Sequence, residues 1–271
     1  MIEGALLLAR LVLGMLAVAA VGWGLLAGLL PRPESSSPLE RGALGFGLGA
    51  LVITLWMLAI TWLGFRFSLP LVLGPPLALS GLALASALKK APFSAWLARP
   101  TWPWRGWDWV FLALLALFFA FAALRAGLYP MWSWDALATW GLKAKAFYLG
   151  RGLDLSRLEA HNYYPNLVPL LLSYLYLCMG GVHDHLVKLV FPVWGGLTLV
   201  LLYCLLVRLG LSRRPALGVT TFFALNGTVF LTHLYLAYAD LTLAFYALAG
   251  VGLTFRWMRE EASWGIMAAA R

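Results

Sequence analysis

The chain has 271 residues, 62% of them hydrophobic and 11% charged, with a formal net charge of +9. A soluble domain is nearer half apolar and a quarter charged, so an ordinary soluble fold is excluded. Nucleic acid is excluded as a partner, because Lys and Arg fall in short clusters between apolar runs, the pattern of cytoplasmic loops. No basic tract carries the interleaved aromatics that grip a phosphate backbone.

Apolar runs stand at about 5–30, 43–63, 69–88, 108–126, 166–181, 188–207, 216–233 and 237–255. Most reach the roughly 20 residues that a bilayer core demands. The expected fold is an all-α polytopic bundle of about seven to eight spanning helices. The first run is too long for the apolar region of a signal peptide, and no small-residue cleavage site follows it. It reads as a retained helix. Turn chemistry fills the breaks: "PRPESSSPLERG" from Pro31, "LGFRFSLP" from Leu63 and "LSRRPA" from Leu211. Cys178 and Cys204 lie in apolar stretches and read as small buried hydrophobes.

The basic loops set orientation. Lys89, Lys90, Arg99 and Arg105 mark one cytoplasmic loop, and Arg208, Arg213 and Arg214 another. The segment after Arg125 is then external. Return to a cytoplasmic Arg208 takes an odd number of crossings, yet two apolar runs intervene. The run 166–181, short, interrupted by Pro169 and closed by a Gly pair, is the one expected not to span. Runs 216–233 and 237–255 then go out and back. Alternation places the N-terminus outside, and puts Asp135 and Asp240 on one external side.

Asp135 stands in "MWSWDALATW", a carboxylate among three tryptophans. Ser133 can cap a helix from Trp134 to about Leu149, with Asp135 favoured in its first turn. Trp134, Leu137, Ala138 and Leu142 form one stripe and Asp135, Thr139 and Lys143 another, giving an amphipathic interfacial helix in the first large external loop. Asp135 is either the start of that helix or a reactive group. Asp240, in "YADLTLAFY", is either a helix-terminal carboxylate or the partner of a cavity. Between them "HNYYPNLVP" supplies His161, Asn162, Tyr163, Tyr164 and Pro165. His183 and His185 have a spacing a metal could use but no further ligand nearby. Lys143, Lys145 and Arg151 make an external basic cluster, either a solvated face or a site for a lipid phosphate.

The order of these features resembles the membrane module of GT-C-type glycosyltransferases, the group that includes protein mannosyltransferases and lipid A aminoarabinose transferases. The similarity covers about 108–260, within a division into N-terminal transmembrane helices (1–90) and a module (91–271) whose last stretch, "SWGIMAAAR", reads as the start of a further helix. The resemblance implies transfer of a sugar from a polyprenyl-phosphate donor to an acceptor at the external face of a bacterial inner membrane. It implies that Asp135 is a candidate general base, that Asp240 helps form the site, and that Lys143 or Lys145 meets the donor phosphate. Trp134, His161, Tyr164 and Pro165 would line the substrate. The chain departs from the group in having Ala136 where many members carry a second acid, and Tyr164 where many carry a histidine. No metal ligands are assigned, and a divalent ion such as Mg²⁺ or Mn²⁺ stays open as cofactor. Membrane lipids, and a partner subunit or missing C-terminal part, are the other expected partners. A transporter and a non-catalytic subunit are the rival readings.

Overall fold

Ser37 shows how the apolar runs are started and stopped. Its hydroxyl accepts from the Glu40 backbone N–H at 3.1 Å, with Pro38 in the first turn, a cap that satisfies one of the helix's orphan donors. At the far end of the same helix, Gly64 takes φ +77°, which a glycine accepts without penalty. The computed structural model of the protein describes residues 2–30, 37–97, 105–156 and 158–269. It is 79% helical, and no strand occurs among the described residues.

The helices are α1 (Ile2–Leu29), α2 (Pro38–Trp62), α3 (Leu69–Lys90), α4 (Phe93–Leu97), α5 (Trp107–Leu128), α6 (Gly141–Gly150), α7 (Leu167–Met179), α8 (Asp184–Val187), α9 (Val190–Arg208), α10 (Arg213–Asn226), α11 (Thr228–His233) and α12 (Asp240–Ala269). A π-helical turn, Ala136–Trp140, precedes α6. Among the described residues six helical stretches are individually long and apolar enough to cross a bilayer: α1, α2, α3, α5, α8 with α9, and α12. The chain is a multi-pass membrane protein. Large apolar side chains such as Leu117, Phe121 and Leu124 of α5 stay exposed, as a lipid-facing surface requires.

The count of intact spanning helices is therefore six, below the expected seven to eight. The missing one is the run 216–233, which is not a single helix. It breaks at Gly227 into α10 and α11, where an Asn-Gly pair interrupts the apolar pattern. The two pieces still follow α5 along its length. Asp108 pairs with Arg214 at 3.3 Å, Phe118 stacks on Phe230, and Arg125 lies over the Tyr235 ring at 5.2 Å. The tail expected to open a further helix instead continues α12 to Ala269.

The run 166–181 forms a 13-residue helix, α7, about 20 Å long against a hydrocarbon core of about 30 Å. It is short of spanning, as expected, but it does not lie on the surface. All its residues except Leu167 and Cys178 are buried. Tyr174 donates to the Gly14 carbonyl of α1 at 3.1 Å, and Arg10 donates to that of Met179 at 3.3 Å. Arg10 thus brings the start of α1 to the end of the bundle that carries α7.

Close approach of α1 and α2 is built on small residues. A Cβ at Gly22 would fall on the Gly45 carbonyl, and one at Gly49 on that of Val18, a device suited to helices without a hydrophobic drive between them. The main core cluster runs from Leu11 to Ala249, and a small second one joins Ala27, Ala87 and Trp96. At one end of the bundle Arg208 pairs with Glu40 at 2.7 Å, and Asp108 accepts from the Arg105 backbone at 3.0 Å as well as pairing with Arg214. The two basic loops thus share an end. Arg99 lies outside the described residues.

Candidate functional site

The other end carries both aspartates. A helix begins at Trp134, as expected, and runs through the π turn into α6. Ser133 starts it differently from the expected cap. Its carbonyl accepts from the Leu137 N–H at 2.9 Å, while its hydroxyl is hydrogen-bonded across to the Tyr238 hydroxyl. The π turn fits one extra residue into the first part of the helix, a distortion frequent at functional sites.

The helix is amphipathic, but beyond Asp135 its polar stripe turns into the protein. Trp134 is 75% exposed and Leu137 and Leu142 are exposed, while Thr139 and Lys143 are buried. Lys143 therefore does not stand on a solvated face. Its ammonium donates to the His161 carbonyl at 2.9 Å, and burial holds its pKa below the ordinary value. Lys145 pairs with Asp184 at 2.6 Å, and Asp184 also accepts from the Tyr176 hydroxyl at 2.9 Å. Of the expected basic cluster, only Arg151 is exposed, lying over the Tyr148 ring at 5.0 Å.

The polar, aromatic stretch before α7 folds onto this helix. Tyr164 stacks on Trp140, with ring centroids 5.4 Å apart, and touches both His161 and Tyr163. The His161 ring nitrogen Nδ1 shares a hydrogen bond with the Tyr163 hydroxyl at 3.1 Å. His161 itself takes φ 45°, a left-handed conformation uncommon for a side-chain-bearing residue. Its carbonyl there receives both Lys143 and the Tyr164 N–H. Tyr164 is held above its ordinary pKa, first by the adjacent Tyr163 and last by the Asp135 carboxylate. Pro165 is exposed beside them. Asp135 is exposed, and among the described residues its carboxylate has no hydrogen-bond partner.

Asp240 is built otherwise. It opens α12 with its side chain 66% exposed and 3.5 Å from the His233 Nε2. The His233 ring meets Tyr238 edge-on, and Ala237, buried, takes φ 60° in the loop between. An apolar groove of about 640 Å³ opens beside the pair, between α10–α11 and α12.

Three ties join the two aspartate loops. Besides Ser133 with Tyr238, the buried Lys188 donates to the carbonyls of Pro130 at 3.2 Å and Tyr235 at 3.4 Å. Arg125 lies over the rings of Tyr129 at 4.6 Å and of Tyr235. Asp135, Lys143, His161, Tyr164 and Pro165 thus share one patch, and Asp240 joins it through these ties. Lys188, His233 and Tyr238 were not selected from sequence. A lysine at the head of an apolar run was the available signal for Lys188, since ionisable groups inside a membrane protein usually have a role.

Among the described residues no three His, Cys, Asp or Glu side chains converge to hold a metal ion. Asp135 would offer one carboxylate, and Asp240 a carboxylate with an imidazole beside it. Neither is by itself a cage for a divalent cation, which takes several oxygen ligands.

Fold and polar end together define a multi-pass helical membrane protein with two coupled carboxylates at one end. No family model, no curated protein and no solved structure matches the chain.

Proposed function

We propose that the protein is a membrane glycosyltransferase of the GT-C type. It moves a sugar from a polyprenyl-phosphate donor to a lipid, glycan or protein acceptor at the external face of a bacterial inner membrane. The observation that supports this most is the joining of the Asp135 and Asp240 loops at one end through Lys188 and the Ser133–Tyr238 hydrogen bond. A transporter would be better served by acids near the bilayer midplane, and both of these stand at helix starts.

In the proposed reaction the acceptor hydroxyl oxygen attacks the anomeric carbon and the bond from that carbon to the phosphate oxygen breaks. Polyprenyl phosphate leaves with the bonding pair. Asp135, exposed and with no hydrogen-bond partner among the described residues, takes the acceptor proton. Lys145, half-shielded beside Asp184, and the exposed Arg151 stand further along the same helix, and positive charge there would draw an anionic donor phosphate to this face.

Transfer of radiolabelled sugar from polyprenyl-phosphate donors in membranes tests this, with wild type and Asp135→Asn expressed to equal levels. Loss of about 10²–10⁴-fold in rate is the result expected for removal of a general base. Transfer that survives the substitution would remove Asp135 from that role. A folded wild-type protein that transfers nothing from any such donor would overturn the function.

A further inference from the structure

The groove beside Asp240 lies on the second loop and is not lined by Asp135. It is lined by Phe222, Phe223 and Phe230 from the broken α10–α11 segment and by Ala244 one turn into α12, and it ends at His233 and Asp240. Its volume of about 640 Å³ is that of an ordinary ligand site, and apolar walls with a few convergent polar groups are the usual lining. The break at Gly227 and the loop at Ala237 are what leave α10–α11 and α12 apart. A chain that must satisfy these walls is a hydrocarbon chain.

The polar end decides what that chain carries. Among the described residues no Lys or Arg lines the groove. Its one permanent charge is the Asp240 carboxylate, mostly exposed, with His233 at 3.5 Å. A phosphate head placed there would meet a like charge, with a single imidazole to offset it. The cations of this end include Lys145, Arg151, Arg125 and the buried Lys143 and Lys188, and these are engaged on the Asp135 side or between the loops. An uncharged hydroxyl suits the pair well. Its O–H can donate to the carboxylate while its oxygen accepts from the imidazole N–H.

We infer that the groove between α10–α11 and α12 binds the hydrocarbon chain of a lipid with an uncharged hydroxyl head, and that His233 and Asp240 hold that hydroxyl. Resting on the transferase reading, this lipid is the acceptor. It is held with its O–H on Asp240 until that hydroxyl turns to the phosphate-bearing donor on the Asp135 side, where Asp135 takes its proton.

The test is binding, which needs no turnover. The full chain in phosphatidylcholine nanodiscs is photolabelled with diazirine-bearing hexadecanol or with the matching hexadecyl phosphate, and the labelled peptides are mapped. The alcohol is expected to label α10–α12 about tenfold more than the phosphate, as like-charge placement disfavours the second. Ala244→Trp, at an exposed position that the fold tolerates, fills the groove and should bring labelling there to background. Asp240→Lys, also at an exposed position, should turn the preference toward the phosphate. Equal labelling by both heads, or labelling unmoved by Ala244→Trp, means annular lipid only and overturns the assignment, as does a phosphate that outcompetes the alcohol in the wild type. Head-selective labelling in a protein that transfers no sugar would sink the transferase reading and leave the groove standing. Sugar transfer with unselective labelling would do the reverse.

Discussion

The two aspartates open helices at the same end of one bundle, yet they stand in unlike surroundings. Asp135 begins a helix whose inner face is set into the core, with Thr139, Lys143, Ala144 and Phe147 all buried behind it. Asp240 begins a helix that faces an open groove across from a broken segment, and its partner is an imidazole rather than a packed wall. An exposed carboxylate on a fixed frame is suited to meet a reacting atom at set geometry, since such groups depend on positioning. A paired carboxylate beside an open, apolar space is suited to receive ligands of varied chain. The difference suggests a division of labour: chemistry on the first loop, binding on the second.

Transfer kinetics give the hardest test of that division. If Asp135 alone takes the proton, Asp135→Asn should lower kcat by about 10²–10⁴-fold, whereas Asp240→Asn should act mainly through KM. Equal losses of kcat would erase the distinction. The contrast in packing can be measured without any substrate. Phe147→Ala removes a fully buried ring behind Asp135 and should cost about 3–5 kcal/mol. Phe222→Ala trims a ring that is 67% exposed on the groove side and should fall within about 0.5 kcal/mol of wild type. Thermal unfolding in detergent reads both. A large cost at Phe222 would mean that the groove is part of the packed structure.

Lys188 is what makes the two regions one site. Lys188→Met leaves the Pro130 and Tyr235 carbonyls without their shared donor, and the net cost should be about 2 kcal/mol, because loss of a buried charge offsets part of the unpaired acceptors. The informative readout is the distance between the loops. Cross-linking of a Ser133→Cys, Tyr238→Cys pair by a short bis-maleimide should slow in the Lys188→Met background and recover in Lys188→Arg. Unchanged cross-linking would show that the loops hold each other without the lysine.

Much of this arrangement could be read from the order of residues. Hydropathy located the spanning helices, the shortness and Pro169 of 166–181 marked a helix that fails to span, and counting basic loops put both aspartates at one end. Those features are set by local composition. The break at Gly227 was also written locally, in Asn226-Gly227, but inside an apolar run long enough to pass for one helix. What composition could not show was which way polar residues point. In a soluble protein Lys143 on the polar stripe of an amphipathic helix would face water. Where the surround is lipid, the apolar stripe takes the outside and the lysine turns inward. His233 escaped notice for a related reason: it is seven residues from Asp240 in sequence, and only the turn at Ala237 brings the two together.

Lys143 yields the smallest expected effect and the one that bears most directly on the frame behind Asp135. Its folded-state pKa is lowered by burial, so in the folded protein it gives up its proton at a lower pH than in the unfolded chain. Between that lowered value and the ordinary one the unfolded chain binds more protons, and stability rises with pH across that window. Below it, both states are charged, and the folded state carries the full cost of a sheltered ammonium held by one carbonyl. Raising the pH toward 10 should therefore increase the unfolding midpoint through this group, by a small margin. Lys143→Met should flatten that slope while leaving the fold intact, because the stem already lies among apolar neighbours. It should also free the His161 carbonyl, leaving the left-handed turn beside Tyr164 less firmly held. Lys188, also fully buried, adds to the slope in both proteins, so the decisive quantity is the difference between them: equal slopes in wild type and Lys143→Met would mean that Lys143 does not titrate as a sheltered cation.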